Sequence, residues 1–302
     1  MGDDEVRVAS WRWVTVTELA NSVEVQFMEH ENRQATIIPL DKSHYYDVGA
    51  MQVKEYQTHG ETRADNVASL RRTFRDLRRV INANFSGGDN ELFITLTYGE
   101  NMRDVERLYK DFEKFIKRFR YKYGACEYIL CVEPQARGAW HGHLLVKWVG
   151  RDYVYIPNEE VEKCWGHGFT TTRRLTGVDN VGAYLSVYLS DVSFDEADEA
   201  IEGGVSYWPV HDGFIERQGK RYLKGARLRL YPSGMRIYRT SRGIKRPERV
   251  RMRYGDIKKK LGGLTPSFRK VYEVERGTFK SRMLIEEYNM KRQGVGSDGE
   301  VV

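Results

Sequence analysis

Two histidines separated by one residue, His141 and His143, lie in the apolar run WHGHLLV at residues 140–146. Such a run predicts a β-strand, and alternate side chains of a strand project from the same face. The two imidazoles can therefore hold one divalent cation together. The pair alone is a weak signal, because histidines on a strand are also common as ordinary hydrogen-bonded residues.

A glutamate ends the preceding apolar run, YILCVE at residues 128–133. If the two runs form a hairpin across residues 134–140, Glu133 lies opposite His141 and Cys131 lies opposite His143. Directly opposed side chains share a face within about 5 Å at Cβ. Two imidazoles and a carboxylate suit Mg²⁺ or Mn²⁺ bridging to a phosphate oxygen, and Zn²⁺ is an alternative. The other interpretation of Glu133 is an ion pair with Arg137.

Two tyrosines, Tyr184 and Tyr188, occupy the segment NVGAYLSVYL at residues 180–189, which we predict to be helical. Residues four apart on a helix share a face. A phenolate can attack phosphorus and remain attached as an ester, which divides strand scission and rejoining into two reversible steps. Because free tyrosine titrates near 10, this chemistry needs a cation to polarise the phosphate. The alternative is that both tyrosines pack in the core.

The elements that must position these residues follow a β-α-β-β-α-β-α order, which is ferredoxin-like or RRM-like. We therefore expect an α+β fold in which helices pack on one face of an antiparallel sheet and leave the other face open. A basic amphipathic helix at 65–84, capped by Asp65, is expected before them. The predicted elements are strands at 92–97, 128–133, 141–149 and 169–174, and helices at 104–121, 159–165 and 179–189.

Charge is distributed unevenly over the 302 residues, whose formal net charge is +6. From Arg217 to Arg282 there are 22 lysines and arginines against four acidic residues. This imbalance suggests a polyanionic partner such as DNA or RNA, although a solvated helical tail would have the same composition. We expect a β-rich segment at 1–60, a catalytic domain at 61–192, and a basic DNA-binding region at 193–302 with mixed helix after Arg246.

Some classes of protein are disfavoured by the sequence. No window approaches eighteen consecutive apolar residues, so we expect no membrane span. The three cysteines form no zinc-finger spacing and cannot all pair, which favours a reducing cytoplasm. No G-x-x-x-x-G-K-[ST] motif is present, so an ATP-driven helicase would have to be a separate host protein.

Three ordered motifs resemble those of HUH endonucleases, in particular the rolling-circle replication initiators (Rep proteins) of plasmids, phages and integrative elements. The motifs are FITLTY at 93–98, Glu133 with His141-Gly142-His143, and the helix of Tyr184. The resemblance covers about residues 62–190. The segment YRTSRGIKRP at 238–247 is similar to one that follows the catalytic domain in such proteins.

The resemblance implies that Tyr184 nicks single-stranded origin DNA and that a host polymerase extends the released 3′ hydroxyl. His141, His143 and Glu133 would hold Mg²⁺ or Mn²⁺, and Tyr188 is the second candidate nucleophile. The oligomeric state is left open. The residues expected to contact DNA are Thr95, Thr97, Arg137, Arg242, Lys245 and Arg246.

Two positions depart from the family pattern. Gly142 stands between the histidines where a bulky apolar residue is usual, and Val187 stands where such proteins usually carry lysine. A relaxase or transposase of the same chemistry, or a sequence-specific nucleic-acid-binding protein without cleavage, are the alternative functions.

Overall fold

The structure is a computed structural model that describes residues 6–31, 37–56, 60–135, 138–178, 180–182, 185, 189, 191–193, 214–217, 220–223, 226–276 and 279–292. The chain forms two compact units. Residues 60–246 form one, the central unit, and residues 1–59 together with 247–302 form the other, the terminal unit. No helix among the described residues is long and apolar enough to cross a membrane.

Strands and helices alternate in the central unit, and strands predominate in the terminal unit. The strands are β1 (Trp13–Glu18), β2 (Ser22–Met28), β3 (Ile37–Pro39), β4 (His44–Asp47), β5 (Gln52–Glu55), β6 (Glu91–Leu96), β7 (Glu127–Pro134), β8 (Trp140–Lys147), β9 (Thr170–Arg174), β10 (Val192–Ser193), β11 (Phe214–Arg217), β12 (Lys220–Leu223), β13 (Tyr238–Thr240), β14 (Arg249–Arg253), β15 (Phe268–Arg276) and β16 (Phe279–Asn289). The helices are α1 (Val67–Asn84), α2 (Val105–Tyr123), α3 (Asn158–Trp165) and α4 (Tyr254–Lys260).

The central unit is built on an antiparallel sheet with the order β13-β7-β8-β6-β9. Along the chain, α1 is followed by β6-α2-β7-β8 and then by α3 and β9. This connection and strand order are those of a ferredoxin-like sheet with one extra edge strand. The α+β class predicted from the sequence is confirmed.

Helix α2 forms because its apolar residues recur at three and four and its ends are capped. Asp104 accepts hydrogen bonds from the N–H groups of Glu106 and Arg107, which satisfies two of the unpaired donors of the first turn. The helix ends at Gly124, whose φ of 86° suits a residue without a Cβ. Its buried face joins the core of the central unit.

Helix α1 begins one residue later than predicted. The side chain of Asn66 accepts from the N–H of Ser69 and is the N-cap. Asp65 was predicted for this role, but its carboxylate accepts from the N–H of Thr62, 2.8 Å away, in the preceding 3-10 turn. The expectation of Asp65 as the cap is therefore wrong.

Both faces of the central sheet are covered, whereas the sequence predicted one open face. Leu130 and Leu144 are buried on one face, and Ile129 and Leu145 are buried on the face that carries the histidines. The second layer includes α1, whose Asn84 carbonyl accepts from Nζ of Lys147 on that face. The expectation of an open face was wrong because α1 comes before the β-α-β-β-α-β-α order from which the fold was predicted.

The terminal unit is a second antiparallel sheet with the order β14-β1-β2-β16-β15. Strands from both ends of the chain pair in it, although the sequence analysis assigned them to separate segments. Its core joins Val14, Val16 and Val25 to Ile257 of α4 and Leu284 of β16. Mixed helix was expected after Arg246. Helix α4 confirms part of that expectation, and the long β15–β16 hairpin corrects the rest. Charged residues on both strands had obscured their alternation.

Candidate metal centre

The β7–β8 hairpin has the predicted register. Glu133 pairs with His141 and Cys131 pairs with His143. Because opposed residues of an antiparallel pair project from the same face, the carboxylate and both imidazoles meet at the end of the hairpin. The regular pairing from Glu127 to Pro134 makes this a rigid platform.

The three side chains form a compact group of potential metal ligands. One ligand atom from each of Glu133, His141 and His143 lies within 4.8 Å of the others. Glu133 and His143 are buried, and His141 is half-buried, so the group is reached from one side. A carboxylate with two imidazoles and open positions fits a divalent cation that also binds phosphate.

His143 is oriented by strand β6. Its Nε2 is in direct contact with Oε2 of Glu133. Its Nδ1 lies 3.4 Å from the hydroxyl oxygen of Thr95, which is its partner in the β6–β8 pairing. The imidazole also stacks on Phe93, with ring centroids 5.6 Å apart. Contacts of this kind fix which nitrogen of a ligand histidine faces the metal.

Glu133 is held by a buried arginine that the sequence analysis did not single out. Nη1 of Arg227 lies 2.6 Å from Oε1 of Glu133 and donates to the carbonyl of Pro134 at 2.8 Å. Its Nε donates to the carbonyl of Asp191 at 3.2 Å. Arg227 is 2% exposed. Nothing in its sequence neighbourhood distinguishes it from the other basic residues of this region.

The charge of Glu133 is stabilised despite its burial. Burial raises the pKa of this carboxyl, but the positive charge of Arg227 and the contact with His143 outweigh it and lower the pKa to about 2. Glu133 is therefore ionised at neutral pH. One carboxylate oxygen binds Arg227, and the other faces the histidines.

The segment predicted to carry the nucleophile is helical where the structure describes it. Val181, Leu185 and Leu189 are fully buried and lie at a spacing of four. The N–H of Gly182 donates to Oδ1 of Asn82 in α1 at 2.8 Å. This spacing and contact place the segment against α1.

The end of this segment is attached next to the candidate ligands. The hydroxyl of Tyr231 lies 3.1 Å from the carbonyl oxygen of Leu189 and 3.0 Å from that of Val132, the residue before Glu133. Arg227 makes the second link, from Asp191 to Glu133. Tyr184, Tyr188 and Val187, and also Arg137, lie outside the described residues, so their assignments stay predictions.

The remaining predicted DNA contacts have different environments. Thr95 is half-buried beside His143, whereas Thr97 is 8% exposed and lies just past the end of β6. Arg242, Lys245 and Arg246 are exposed.

The basic loop that follows β13 lies far from the candidate metal centre. The N–H of Gly243 donates to Glu127, and the N–H of Lys245 donates to Asn84. Glu127 is six residues from Glu133 along β7, a distance of roughly 20 Å. Any DNA contact of this loop would therefore lie well away from the ligand group.

The surroundings of Gly142 leave no room for the bulky apolar residue that is usual between the two histidines of HUH endonucleases. The Cα of Gly142 faces away from the ligands, and a Cβ there would lie 3.3 Å from Cδ1 of Leu130 and 3.6 Å from Cβ of Leu96. The space that a bulky residue would need is filled by these two leucines.

Residues 91–193 match the family model of the replication-associated protein ORF2/G2P. The matched third of the chain runs from the first residue of β6 to the last residue of β10. It contains all three candidate ligands and the segment with both tyrosines. The match supports a role in replication initiation. Comparisons with curated proteins and with solved structures gave no match.

Proposed function

We propose that this protein is a rolling-circle replication initiator of the HUH type that nicks single-stranded origin DNA. The observation that carries the proposal is the meeting of Glu133, His141 and His143 on paired strands, inside the region that matches a replication-associated family. The attachment of Leu189 and Asp191 beside Glu133 supports a nucleophile from the helical segment that ends at Leu189.

In the proposed reaction the phenolate oxygen of Tyr184 attacks the scissile phosphorus. A bond forms between this oxygen and phosphorus, the bond from phosphorus to the 3′ oxygen breaks, and the 3′ oxygen takes up a proton. The protein then carries the 5′ phosphate, and the free 3′ hydroxyl primes a host polymerase. A second transfer, in the reverse sense, rejoins the displaced strand. Unwinding would be supplied by a host helicase.

The candidate ligands would hold Mg²⁺ or Mn²⁺, which polarises the phosphate when bound. Glu133 would supply a full negative charge, because its low pKa keeps it ionised. Thr95 would orient His143, and Arg227 would orient Glu133. A relaxase or transposase would use the same chemistry, and the replication-associated match favours the initiator.

Covalent capture tests this function. We expect the full chain, incubated with Mn²⁺ and a 3′-end-labelled pool of random single-stranded DNA, to give a labelled band at protein size on a denaturing gel. The 3′ label is required because the protein retains the fragment downstream of the nick. Tyr184→Phe should abolish the band, and Tyr188→Phe should leave most of it.

A matched control is Tyr121→Phe, which removes an exposed phenol of α2 and should have no effect. A labelled band of wild-type intensity from Tyr184→Phe would show that the nucleophile is another residue. The absence of both the band and Mn²⁺ binding in the wild-type protein would favour the non-catalytic alternative.

A further inference from the structure

The terminal unit has one sheet face that its own core does not use. Val14 and Val16 of β1 point into the core with α4. Because side chains of a strand alternate, Trp13 and Thr15 point to the opposite face. We call this second face, made by alternate residues of β14, β1, β2, β16 and β15, the outer face.

Aromatic and basic residues lie at the two edges of the outer face, whereas Glu24 on its middle strand β2 is buried. Trp13 pairs with Arg253, and Thr15 pairs with Arg251 on the edge strand β14. At the other edge, Tyr272 lies on β15 two residues from Lys270, whose Nζ is 5.2 Å from the tyrosine ring. Trp13 is 52% exposed, which is unusual for so large an apolar side chain.

A concave pocket of about 700 Å³ opens at the Trp13 end of this face. Trp11, which is 62% exposed, and Trp13 both line it. Each carries a guanidinium over its ring: Arg12 lies 5.5 Å from the ring of Trp11, and Arg253 lies 5.9 Å from the ring of Trp13. A group of exposed aromatic rings in a pocket is more typical of a binding surface than of a surface that contacts only solvent.

The charge of the pocket is suited to an anionic ligand. Two acidic residues also line it, but each is bound by an arginine: Glu31 by Arg251 at 2.6 Å, and Glu29 by Arg282 at 3.0 Å. The charge of the lining arginines beyond these pairs comes from Arg12 and Arg253. On β14, arginines recur at every second residue, which spaces them by about 7 Å along the edge of the sheet.

We propose that the Trp13 end of the outer face is a second binding site, at which single-stranded DNA stacks its bases on Trp11 and Trp13 and its phosphates contact Arg253. Aromatic rings interleaved with arginine are the means by which proteins bind single strands without reading their sequence, because every base has a stacking face. The choice of DNA over RNA rests on the proposed function. The assignment of a stacking surface does not depend on that function.

The test measures the anisotropy of a fluorescein-labelled (dT)15 oligonucleotide titrated with the full chain in EDTA, so that no metal contributes. Trp13→Ala should weaken binding by on the order of fivefold or more, as expected for one lost stacked base. Trp13→Tyr should restore most of the affinity, because a tyrosine ring also stacks. Tyr121→Ala, at an exposed aromatic of the central unit, should bind as the wild type does.

The phosphate contact is tested separately. Arg253→Ala should lower the affinity and reduce the dependence of binding on salt concentration. Its control is Lys259→Ala, which removes an exposed charge from α4, the helix on the core side of the same sheet. If Trp13→Ala fails to fold by circular dichroism, Trp11→Ala and Arg253→Ala decide the question.

The result also separates this inference from the nicking reaction. His143→Ala should bind (dT)15 with wild-type affinity and form no covalent adduct, whereas Trp13→Ala should still form the adduct at saturating DNA. Wild-type affinity of both Trp variants and of Arg253→Ala would overturn the inference. Equal binding of duplex (dA·dT)15 would overturn the stacking role, and tighter binding of (U)15 than of (dT)15 would overturn the choice of DNA.

Discussion

At the scale of single residues, the candidate centre depends on the different contacts of the two carboxylate oxygens of Glu133. One is bound by Arg227, and the other faces His143. The three candidate ligands could be predicted from the sequence, because strand alternation alone aligns them. Arg227 could not, because a residue 94 positions after Glu133 reaches it only through the fold, and it is one of many basic residues in its region.

Glu133→Gln should remove the anionic ligand and leave the charge of Arg227 buried without compensation. We expect Mn²⁺ affinity, measured by calorimetry, to fall by more than the roughly 10- to 100-fold that the loss of a supporting residue costs. We also expect the free energy of unfolding of the metal-free protein to fall by about 3–5 kcal/mol. Glu127→Gln, on the same face at the other end of β7, is the control. Unchanged Mn²⁺ affinity in Glu133→Gln would exclude this carboxylate as a ligand.

At the scale of elements, the contact between α1 and the segment around Gly182 positions that segment. A Cβ on Gly182 would lie 2.7 Å from the carbonyl oxygen of Arg78 and 2.9 Å from Oδ1 of Asn82. The helix pattern and the β7–β8 register were predictable from local periodicity. The close approach of Gly182 to α1 was not, because it joins positions about 100 residues apart.

Gly182→Ala should force this segment away from α1. We expect a loss of about 1–3 kcal/mol in stability, as for other overpacked sites, and a large decrease in covalent adduct. Mn²⁺ affinity should not change, since the β7–β8 hairpin is untouched. Arg75→Ala, at an exposed position of α1, is the control. Full adduct formation by Gly182→Ala would show that the position of this segment does not limit the reaction.

At the scale of the whole molecule, the chain contains two cores. The central unit holds the candidate metal centre, and the terminal unit is assembled from both ends of the chain. The ferredoxin-like core could be predicted, because its strands are close in sequence and alternate with helices. The pairing of β2 with β16 could not, because it joins strands more than 200 residues apart and no local pattern specifies such a partner.

The two cores should respond separately to mutation. Leu284→Ala, in the core of the terminal unit, should cost about 2–5 kcal/mol there. Amide hydrogen exchange should then increase in β1, β2 and β16 but remain unchanged in β6, β7 and β8. Leu145→Ala, in the core of the central unit, should give the reverse pattern. Equal increases in both units for either variant would contradict the division.

The central claim is that a tyrosine brought to the Glu133–His141–His143 group becomes covalently linked to DNA, and mass spectrometry of the linked peptide tests it most directly. Trypsin should release the peptide of residues 175–217, since no lysine or arginine interrupts it, and this peptide contains both Tyr184 and Tyr188. After nuclease digestion, fragmentation should place a nucleotide phosphate on Tyr184, and EDTA in the reaction should abolish the modified peptide. A phosphate on a residue outside this peptide, or the same yield in EDTA, would contradict the account.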